Sequence, residues 1–269
     1  MDRDVFGKDA VLSALKTEYL GKETVFFDEI DSTNTEVKRR ADKGAGEGLL
    51  IIADVQNKGK GRRGRSWENP GGVNIAMSLL LKPGFSPDTA PMLTIVMALS
   101  CAEGIKKVTG LSPYIKWPND IVLSGKKCVG ILTEMTAQNG KIEYVIIGTG
   151  INVNNTGFSG ELGNKATSLF LETGNKQSRA LITAEIINSF EKYYDIFRKT
   201  GSLSELSGKY NDICVNSGKR VCVLDPKGAY EADALGINDR GELIVRTDDG
   251  RELNVYAGEV SVRGVYGYT

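Results

Sequence analysis

The sequence contains no histidine, and this absence excludes several kinds of active site at once. A Ser-His-Asp triad and a histidine general base are both ruled out. The four cysteines, Cys101, Cys128, Cys214 and Cys222, are widely spaced and include no Cys-x-x-Cys pair. A zinc site is therefore not expected, because such sites use closely spaced cysteines and histidines. We interpret the cysteines as reduced, mostly buried side chains of a cytoplasmic protein.

Net charge and long apolar runs are also lacking. The 269 residues include 34 Lys+Arg and 34 Asp+Glu, so the formal charge is zero. A protein that binds nucleic acid by bulk electrostatics is more often basic overall. No apolar run is long enough to cross a bilayer, and no apolar signal segment follows the charged start MDRD. We therefore expect a cytoplasmic protein that does not bind membranes.

Apolar periodicity predicts a mixture of helices and strands over most of the chain. Helices are predicted over 9–20, 36–42, 88–108, 178–198 and 202–210, and strands over 24–30, 49–55, 73–81, 114–117, 127–135 and 144–154. The dipeptide Asn139-Gly140 predicts a tight hairpin between the last two of these strands. From about Asn216, short strands separated by Gly, Asp and Asn turns predict a small antiparallel barrel.

This order of elements is typical of an α+β protein with a small β-barrel appended. We expect a mixed β-sheet with flanking helices in the main domain. The predicted boundaries are 1–22 for an N-terminal helix and linker, 23–213 for the main domain, and 214–269 for the barrel.

The segment QNKGKGRRGRSW, residues 56–67, concentrates five cations and three glycines. A charge run is most often a solvated loop, and a nucleic-acid or nuclear-localisation patch is a second interpretation. In a third, glycines turn backbone N–H groups towards an anion while Arg62 and Arg65 add bidentate bonds. Its position between two buried strands favours the third interpretation, with Trp67 as an aromatic platform for a base.

Three further segments carry candidate polar groups. In KWPND, Asn119 and Asp120 offer oxygen ligands suited to Mg²⁺ on a nucleotide, although an ordinary turn is the commoner explanation of such a segment taken alone. Lys127 opens a strand, where a lysine is usually solvated but can also reach a charged ligand. In GTGINVN, Gly148 and Gly150 indicate close backbone approach or a bulge. That segment is not a dinucleotide fingerprint, because the third glycine is missing.

Taken together, the segments DSTN, QNKGKGRRGRSW, KWPNDI, KKCVGIL and GTGINVN resemble those of the biotin protein ligases. The resemblance extends from about residue 24 to the end of the chain. It implies a sheet like that of class II aminoacyl-tRNA synthetases and biotinyl-lipoyl ligases, followed by an SH3-like barrel. Family members activate biotin with ATP as biotinyl-5′-AMP and transfer biotin to one lysine of a carboxylase carrier protein. Biotin, ATP, Mg²⁺ and that carrier are therefore the expected ligands and partner, and a homodimer is compatible.

The resemblance also implies roles for individual residues. Biotin is expected to bind at Ser32, Thr33, Asn34, Gln56, Lys60, Gly61, Arg62, Lys127 and Gly130. ATP and the adenylate are expected to bind at Arg62, Arg65, Trp67, Lys116, Asn119 and Asn152. The expected catalytic residues are Arg62, Lys127 and Asp120, and Asp120 is also the expected Mg²⁺ contact. Cations are needed there because the biotin carboxylate and ATP repel each other.

The sequence departs from the family pattern at two places. The family's loop commonly reads GRGRRGR, and Lys60 replaces its first arginine, which keeps the charge but loses the planar fork. Too few residues precede DSTN for a winged-helix DNA-binding domain, so we expect a monofunctional ligase that binds no DNA. The alternatives are a lipoate or octanoate ligase or transferase, a biotin-responsive transcriptional repressor, and an RNA-binding protein with a basic loop.

Overall fold

A seven-stranded mixed sheet forms the centre of the molecule. The computed structural model describes residues 4–225, 228–257 and 261–264. The strands are β1 (Thr24–Ile30), β2 (Leu50–Gln56), β3 (Asn74–Leu81), β4 (Tyr114–Lys116), β5 (Asp120–Leu123), β6 (Lys126–Gln138) and β7 (Lys141–Asn152). Their order is β1-β2-β3-β7-β6-β5-β4. Strands β1 and β2 are parallel and the other neighbours are antiparallel, which confirms the predicted mixed sheet.

Helices cover both faces of this sheet. They are α1 (Lys8–Ala14), α2 (Thr33–Ala41), α3 (Ala90–Thr109), α4 (Leu169–Thr173), α5 (Arg179–Thr200) and α6 (Ser207–Asp212). Helices α3 and α5 pack closely at Gly104, where an added Cβ would lie 2.8 Å from the backbone nitrogen of Ile186. As predicted, α3 ends at Gly110, which has the left-handed φ of 73°. Among the described residues, no helix is both long and apolar enough to span a bilayer.

The helix predicted over 9–20 is wrong in its second half. The observed α1 stops at Ala14, and residues 18–20 form no helix. The carboxylate of Glu191 accepts the backbone N–H groups of these three residues at 2.6, 3.0 and 2.9 Å. A buried carboxylate from α5 therefore satisfies donors that a longer α1 would have used internally. Periodicity within the segment carries no information about this distant partner.

The second sheet confirms the antiparallel texture predicted for the C-terminal part. It contains β8 (Lys219–Asp225), β9 (Gly228–Ile237), β10 (Leu243–Arg246), β11 (Glu252–Val255) and β12 (Ser261–Gly264) in the order β11-β10-β9-β8-β12. Within the described residues this is an antiparallel sheet with β11 and β12 at its edges. Residues 1–3, 226–227, 258–260 and 265–269 of the predicted domains lie outside the described residues.

Trp117 joins the two sheets. Its indole Nε1 donates to the carbonyl oxygen of Gly241 at 3.0 Å, and its backbone N–H donates to Asn216 Oδ1 at 2.9 Å. The ring is buried, and its peptide bond to Pro118 is cis. The KWPND segment is thus attached to the C-terminal sheet by hydrogen bonds as well as by packing.

Arg179 is buried beside the central sheet, and we expect its removal to destabilise the protein. Arg179, at the start of α5, pairs with Asp4 and with Asp54, each at 2.5 Å, and donates to the carbonyl oxygen of Asn74 at 3.2 Å. We expect Arg179→Ala to lower the free energy of unfolding by about 3 kcal/mol, because two carboxylates lose their partner. Urea unfolding measures this change.

Arg246→Ala provides the control, since Arg246 pairs with Glu252 where both side chains are about half exposed. That substitution should cost less than about 1 kcal/mol. Equal losses in the two variants would show that burial of Arg179 contributes nothing.

Candidate active site

Small residues give one face of the central sheet a recessed floor. In the strand register, Ser78 lies opposite Gly148, while Gly150 lies opposite both Ala76 and Gly130. Directly paired residues share a face of a sheet, and every second residue along a strand returns to that face. The three central strands therefore present Ala, Ser and Gly side by side. Larger side chains would fill the space above the sheet, so this floor leaves room for a ligand.

The N-terminus of α2 borders the floor on one side. Ser32 caps the helix, with its hydroxyl accepting from the backbone N–H of Thr35 at 3.5 Å. The next residue, Thr33, donates both its backbone N–H (2.9 Å) and its hydroxyl (3.0 Å) to Gln56 Oε1 at the end of β2. Three residues of the DSTN segment are buried here: Ser32, Thr33 and Asn34. The helix cap thus doubles as one wall of the recess.

The Asn34 carboxamide lies against the floor at Gly148. Its Nδ2 donates to Glu134 Oε2 at 2.6 Å, and its Oδ1 lies 2.5 Å from the Ser78 hydroxyl. Ser78 Oγ is also 2.7 Å from Thr33 Oγ1. A Cβ on Gly148 would overlap the Asn34 carboxamide, so only glycine fits beneath it. The glycine in the strand therefore serves close approach, which is one of the two explanations that the sequence left open.

Residues 56–69, here called the glycine–arginine loop, form an ordered hairpin above the floor. Gln56 bridges to Asn69, and Lys60 bridges to Ser66. At its tip the backbone N–H of Gly61 donates to the carbonyl oxygen of Arg65 at 2.7 Å. The loop is therefore held by its own backbone hydrogen bonds and is more structured than a solvated charge run.

Trp67 points from this loop onto the floor. Its ring lies directly over Gly150 and Gly130, where an added Cβ would collide with ring atoms. The ammonium nitrogen of Lys127 is 5.7 Å from the ring centroid, which is within cation–π range. The indole Nε1 is buried and has no hydrogen-bond partner in the described part of the chain. A buried donor of this kind is suited to an acceptor on a ligand.

The cations Arg62 and Lys127 lie together at one end of the recess. Arg62 donates to Asn119 Oδ1 at 2.8 Å and to the carbonyl oxygen of Ala257 at 2.6 Å. Lys127 Nζ pairs with Asp120 Oδ1 at 2.7 Å. Burial lowers the pKa of the Arg62 guanidinium, and the nearby Asp120 carboxylate opposes that effect. Positive charge held in a partly desolvated recess attracts an anionic ligand more strongly than charge on an open surface.

Most of the residues expected from the sequence lie around this one pocket. Its lining includes Ser32, Thr33, Asn34, Gln56, Lys60, Gly61, Arg62, Trp67, Asn119, Lys127 and Gly130. Asp120 is joined to the pocket through its ion pair with Lys127. Segments far apart in the chain thus meet, and the roles of the individual residues stay predictions.

Three other expected residues lie outside the lining. Arg65 has an exposed side chain on the glycine–arginine loop. Lys116 is buried on β4, in register with Asp120 on β5. Asn152 is buried and donates from Nδ2 to the carbonyl oxygen of Thr167 at 3.2 Å, which ties β7 to the segment before α4. In this structure, Asn152 therefore makes a supporting contact outside the pocket lining.

The sequence analysis assigned no binding role to several residues of the pocket, although it singled out Gly148 and Gly150 as positions of close backbone approach. The additional lining residues are Ala76, Met77, Ile131, Leu132, Gly148, Thr149 and Gly150. The two-residue spacing of small side chains on β3 and β7 is a signal that could have revealed the floor. Glu134 gave no such signal, because a glutamate in a strand is ordinarily a solvent-facing residue.

Two family models match the sequence. The model described as "Biotin/lipoate A/B protein ligase family" matches residues 26–152, and the model described as "Biotin protein ligase C terminal domain" matches residues 217–263. The first range contains the floor, the glycine–arginine loop and the KWPND segment.

Curated proteins and solved structures give similar results. The chain is 36% identical to the bifunctional ligase/repressor BirA of Bacillus subtilis over 250 residues, covering 92% of this chain and 76% of the relative. It is 30% identical to a biotin–[acetyl-CoA-carboxylase] ligase of Paracoccus denitrificans, covering 87% of this chain and 98% of the relative. The structure superposes on a biotin protein ligase from Aquifex aeolicus, in complex with biotin and ATP, with a TM-score of 0.79. That match has 28% identity and covers 90% of this chain and 99% of the other.

Proposed function

Because this chain belongs to the biotin protein ligase family, we propose that it activates biotin with ATP and transfers biotin to a lysine of a carboxylase carrier protein. The intermediate is biotinyl-5′-AMP. One observation carries the proposal: a recess floored by small residues has a polar wall from α2 at one side and the cations Arg62 and Lys127 at the other. A neutral ring system with hydrogen-bonding groups suits the polar wall, and an anionic carboxylate suits the cations.

The first half-reaction joins two anions. A carboxylate oxygen of biotin attacks the α-phosphorus of ATP, the bond to the leaving pyrophosphate breaks, and a mixed anhydride forms. Lys127 and Arg62 screen the repulsion and stabilise the charge that develops on the phosphoryl oxygens. The ion pair of Lys127 with Asp120 holds the ammonium group in place before substrates bind. The loop backbone, with Lys60 in place of the usual arginine, supplies further positive charge at the entrance.

Trp67 and the KWPND segment are proposed to receive the nucleotide. Trp67 offers a ring face for adenine, and Asn119 and Lys116 lie near the cationic end. Among the described residues, no cluster of three metal-binding side chains exists. A magnesium ion needs no such cluster, because it binds through one or two carboxylates together with substrate phosphates. Asp120 would hold Mg²⁺ arriving with ATP, and the ion would neutralise phosphate charge.

The second half-reaction forms an amide bond. The acceptor lysine attacks the carbonyl carbon of biotinyl-5′-AMP, the carbon–oxygen bond to AMP breaks, and the lysine nitrogen loses a proton. Asp120 is the carboxylate closest to the cationic end, and it is proposed to orient the amine or to accept that proton. Arg62 is proposed to retain the adenylate until the carrier arrives.

Biotin labelling of a carrier domain tests the proposed function. The protein is incubated with ATP, Mg²⁺, labelled biotin and the biotin carboxyl carrier domain of an acetyl-CoA carboxylase. We expect label on one carrier lysine and none when ATP is omitted. Transfer of lipoate or octanoate instead of biotin would overturn the proposal in favour of the alternative within the same superfamily.

Arg62 gives a prediction about retention of the intermediate. Arg62→Ala removes the guanidinium together with its bonds to Asn119 and Ala257, which join the glycine–arginine loop to the KWPND segment and to the C-terminal part of the chain. We expect biotinyl-5′-AMP to leave the variant at least about tenfold faster, as judged from the net loss of one charged hydrogen bond. Rapid dilution of the enzyme–adenylate complex measures the rate. Lys58→Ala is the matched control, because Lys58 is an exposed cation of the same loop. Equal release rates in both variants would remove Arg62 from the retention role.

The proposal also covers the form of the two domains, the pairing of chains and the absence of DNA binding. We propose that the five-stranded C-terminal sheet closes as an SH3-like barrel, and that the sheet-and-helix part over 23–213 is the catalytic domain of synthetase-like type. Pairing of two chains stays a prediction. Absence of operator binding stays a prediction; a specific mobility shift with operator DNA would favour the alternative of a biotin-responsive repressor.

A further inference from the structure

Strand β6 contains one extra residue beside Lys127. In the pairing with β5, Ile121 lies opposite Val129. The next residue of β5, Val122, lies opposite Lys127, so the register passes over Cys128. Two residues of β6 therefore oppose one residue of β5, which is the pattern of a β-bulge. A shift of one residue moves the side chains that follow it to the other face of a sheet.

The bulge determines which side chain of β6 reaches the pocket. Beyond the bulge, Gly130 and Leu132 line the pocket. Thr133 lies on the opposite face, with its hydroxyl oxygen 2.7 Å from that of Thr94 on α3. In an unbroken strand Lys127 would share the face of Thr133, but its Nζ lies 3.1 Å from the position of a Cβ on Gly130. The bulge therefore turns Lys127 from the α3 side of the sheet to the pocket side.

The backbone of Lys127 is held by residues 165–167, which precede α4. Its N–H donates to the carbonyl oxygen of Lys165 at 2.8 Å, and its carbonyl oxygen accepts from the N–H of Thr167 at 2.9 Å. Lys127 thus pairs in parallel with Ala166. Both backbone hydrogen-bonding groups of Lys127 are bonded to this segment, so the segment supports the residue that the bulge has turned.

Glu172 on α4 joins this segment to the turn between β5 and β6. Its Oε1 accepts from the Thr167 hydroxyl and its Oε2 accepts from the Ser124 hydroxyl, each at 2.6 Å. Thr167 is buried, and its carbonyl oxygen also accepts from Asn152 Nδ2 at 3.2 Å. The turn is tight, since Ser124 has a φ of 49° and Gly125 has a φ of 74°. One carboxylate therefore ties together the two chain segments that flank the bulge.

We propose that Thr167 and Glu172 are positioning residues for Lys127. They hold residues 165–167 against the bulge, and the bulge keeps the Lys127 ammonium group in the pocket, where it pairs with Asp120. Neither Thr167 nor Glu172 belongs to the pocket lining, so both act through Lys127. This inference rests on the proposed function, in which Lys127 stabilises the charge that develops during adenylate formation. A lysine whose backbone is loosened keeps its charge but is placed less accurately at the α-phosphate.

Thr167→Val provides the first test, because valine keeps the branched shape of the buried side chain and loses the hydroxyl. We expect the single-turnover rate of biotinyl-5′-AMP formation to fall about tenfold, while the Kd values for biotin and ATP stay within about twofold. Thr167→Ser keeps the hydroxyl and should retain most of the rate. An unchanged rate in Thr167→Val, or an equal loss in Thr167→Ser, would overturn the proposal.

Thr183→Val is the matched control for the loss of a buried hydroxyl. Thr183 is fully buried on α5, and its hydroxyl has no hydrogen-bond partner in the described part of the chain. We expect this variant to form the adenylate at the unmodified rate. A rate loss equal to that of Thr167→Val would show that any buried threonine has the same effect, and would contradict a specific role for Thr167.

A double-mutant cycle separates positioning of Lys127 from a general structural role. If Thr167 acts through Lys127, Thr167→Val should cause no further loss of rate in a protein that already carries Lys127→Ala. Glu172→Ala, which removes both bonds of the carboxylate, should show the same lack of additivity. A loss by the same factor in both backgrounds would indicate a purely structural defect and would contradict the proposal.

The unmodified protein separates failure of this inference from failure of the proposed function. If it forms no biotinyl-5′-AMP from biotin and ATP, the proposed function is wrong and the inference is lost with it. If it forms the adenylate and Thr167→Val does so equally fast, the ligase function remains and only the positioning role is lost.

Discussion

Replacing Gly148 by alanine is expected to reduce kcat/KM for biotin by at least about 100-fold. A methyl group at this position occupies the place of the Asn34 carboxamide, whose hydrogen bonds to Ser78 and Glu134 would both break. Because the carboxamide is enclosed on several sides, it has no alternative place of low energy. The overpacked site should also lose about 1–3 kcal/mol of stability. Steady-state kinetics at varied biotin, with urea unfolding in parallel, measures both effects.

Gly150→Ala is the matched control on the same strand. The added methyl group would meet the ring of Trp67, which belongs to a loop and can move away. Stability should therefore change by less than in Gly148→Ala, and the KM for ATP should rise more than the KM for biotin. If the two alanines have the same effect on biotin kinetics, close approach of Asn34 at Gly148 is not what makes glycine necessary.

Lys127→Ala is expected to lower the rate of adenylate formation by about 100- to 1,000-fold, in the range found when a charge-stabilising donor is removed from an active site. The ammonium group lies beside Asp120 and the Trp67 ring at the cationic end of the pocket. It should act mainly on the transition state, so the Kd for ATP should change far less than the rate. Single-turnover formation of biotinyl-5′-AMP measures the rate, and equilibrium titration measures the affinity.

Lys126→Ala serves as the control because Lys126 precedes Lys127 on β6 and does not belong to the pocket lining. It should leave adenylate formation within about twofold of the unmodified rate, since a surface charge outside a site has little effect. A larger loss of ATP affinity than of rate in Lys127→Ala would assign Lys127 to ground-state binding instead.

Sequence patterns predicted the parts of the fold that depend on local periodicity. Strand β1 was predicted with its observed bounds, and the Asn139-Gly140 turn has φ values of 52° and 73°, as a tight hairpin requires. The early end of α1 could not be predicted, because it depends on Glu191, more than 170 residues away. The preference of a segment for helix or strand depends on its own residues, whereas the position of a helix end can depend on a buried side chain far away in the sequence.

The candidate site likewise contains residues that the sequence patterns predicted and residues that only the folded structure reveals. Motifs identified most of the side chains around the pocket, such as Asn34 and Lys127, because charged and amide groups at unusual places are visible in the sequence. They did not reveal Glu134 or Ser78, which act on those side chains from neighbouring strands. These contacts depend on three strands being in register, and register is a property of the folded sheet.

The placement of the two tryptophans gives the protein a built-in optical reporter. The sequence has only Trp67 and Trp117. Trp117 is enclosed at the junction of the two sheets and bonded to Gly241, so its emission should stay constant during turnover. Trp67 lies in the recess beside an ammonium group, where a ligand would change its polarity and quenching. Intrinsic fluorescence can therefore follow occupancy of the pocket in real time, without a label, and Trp67→Phe supplies the blank.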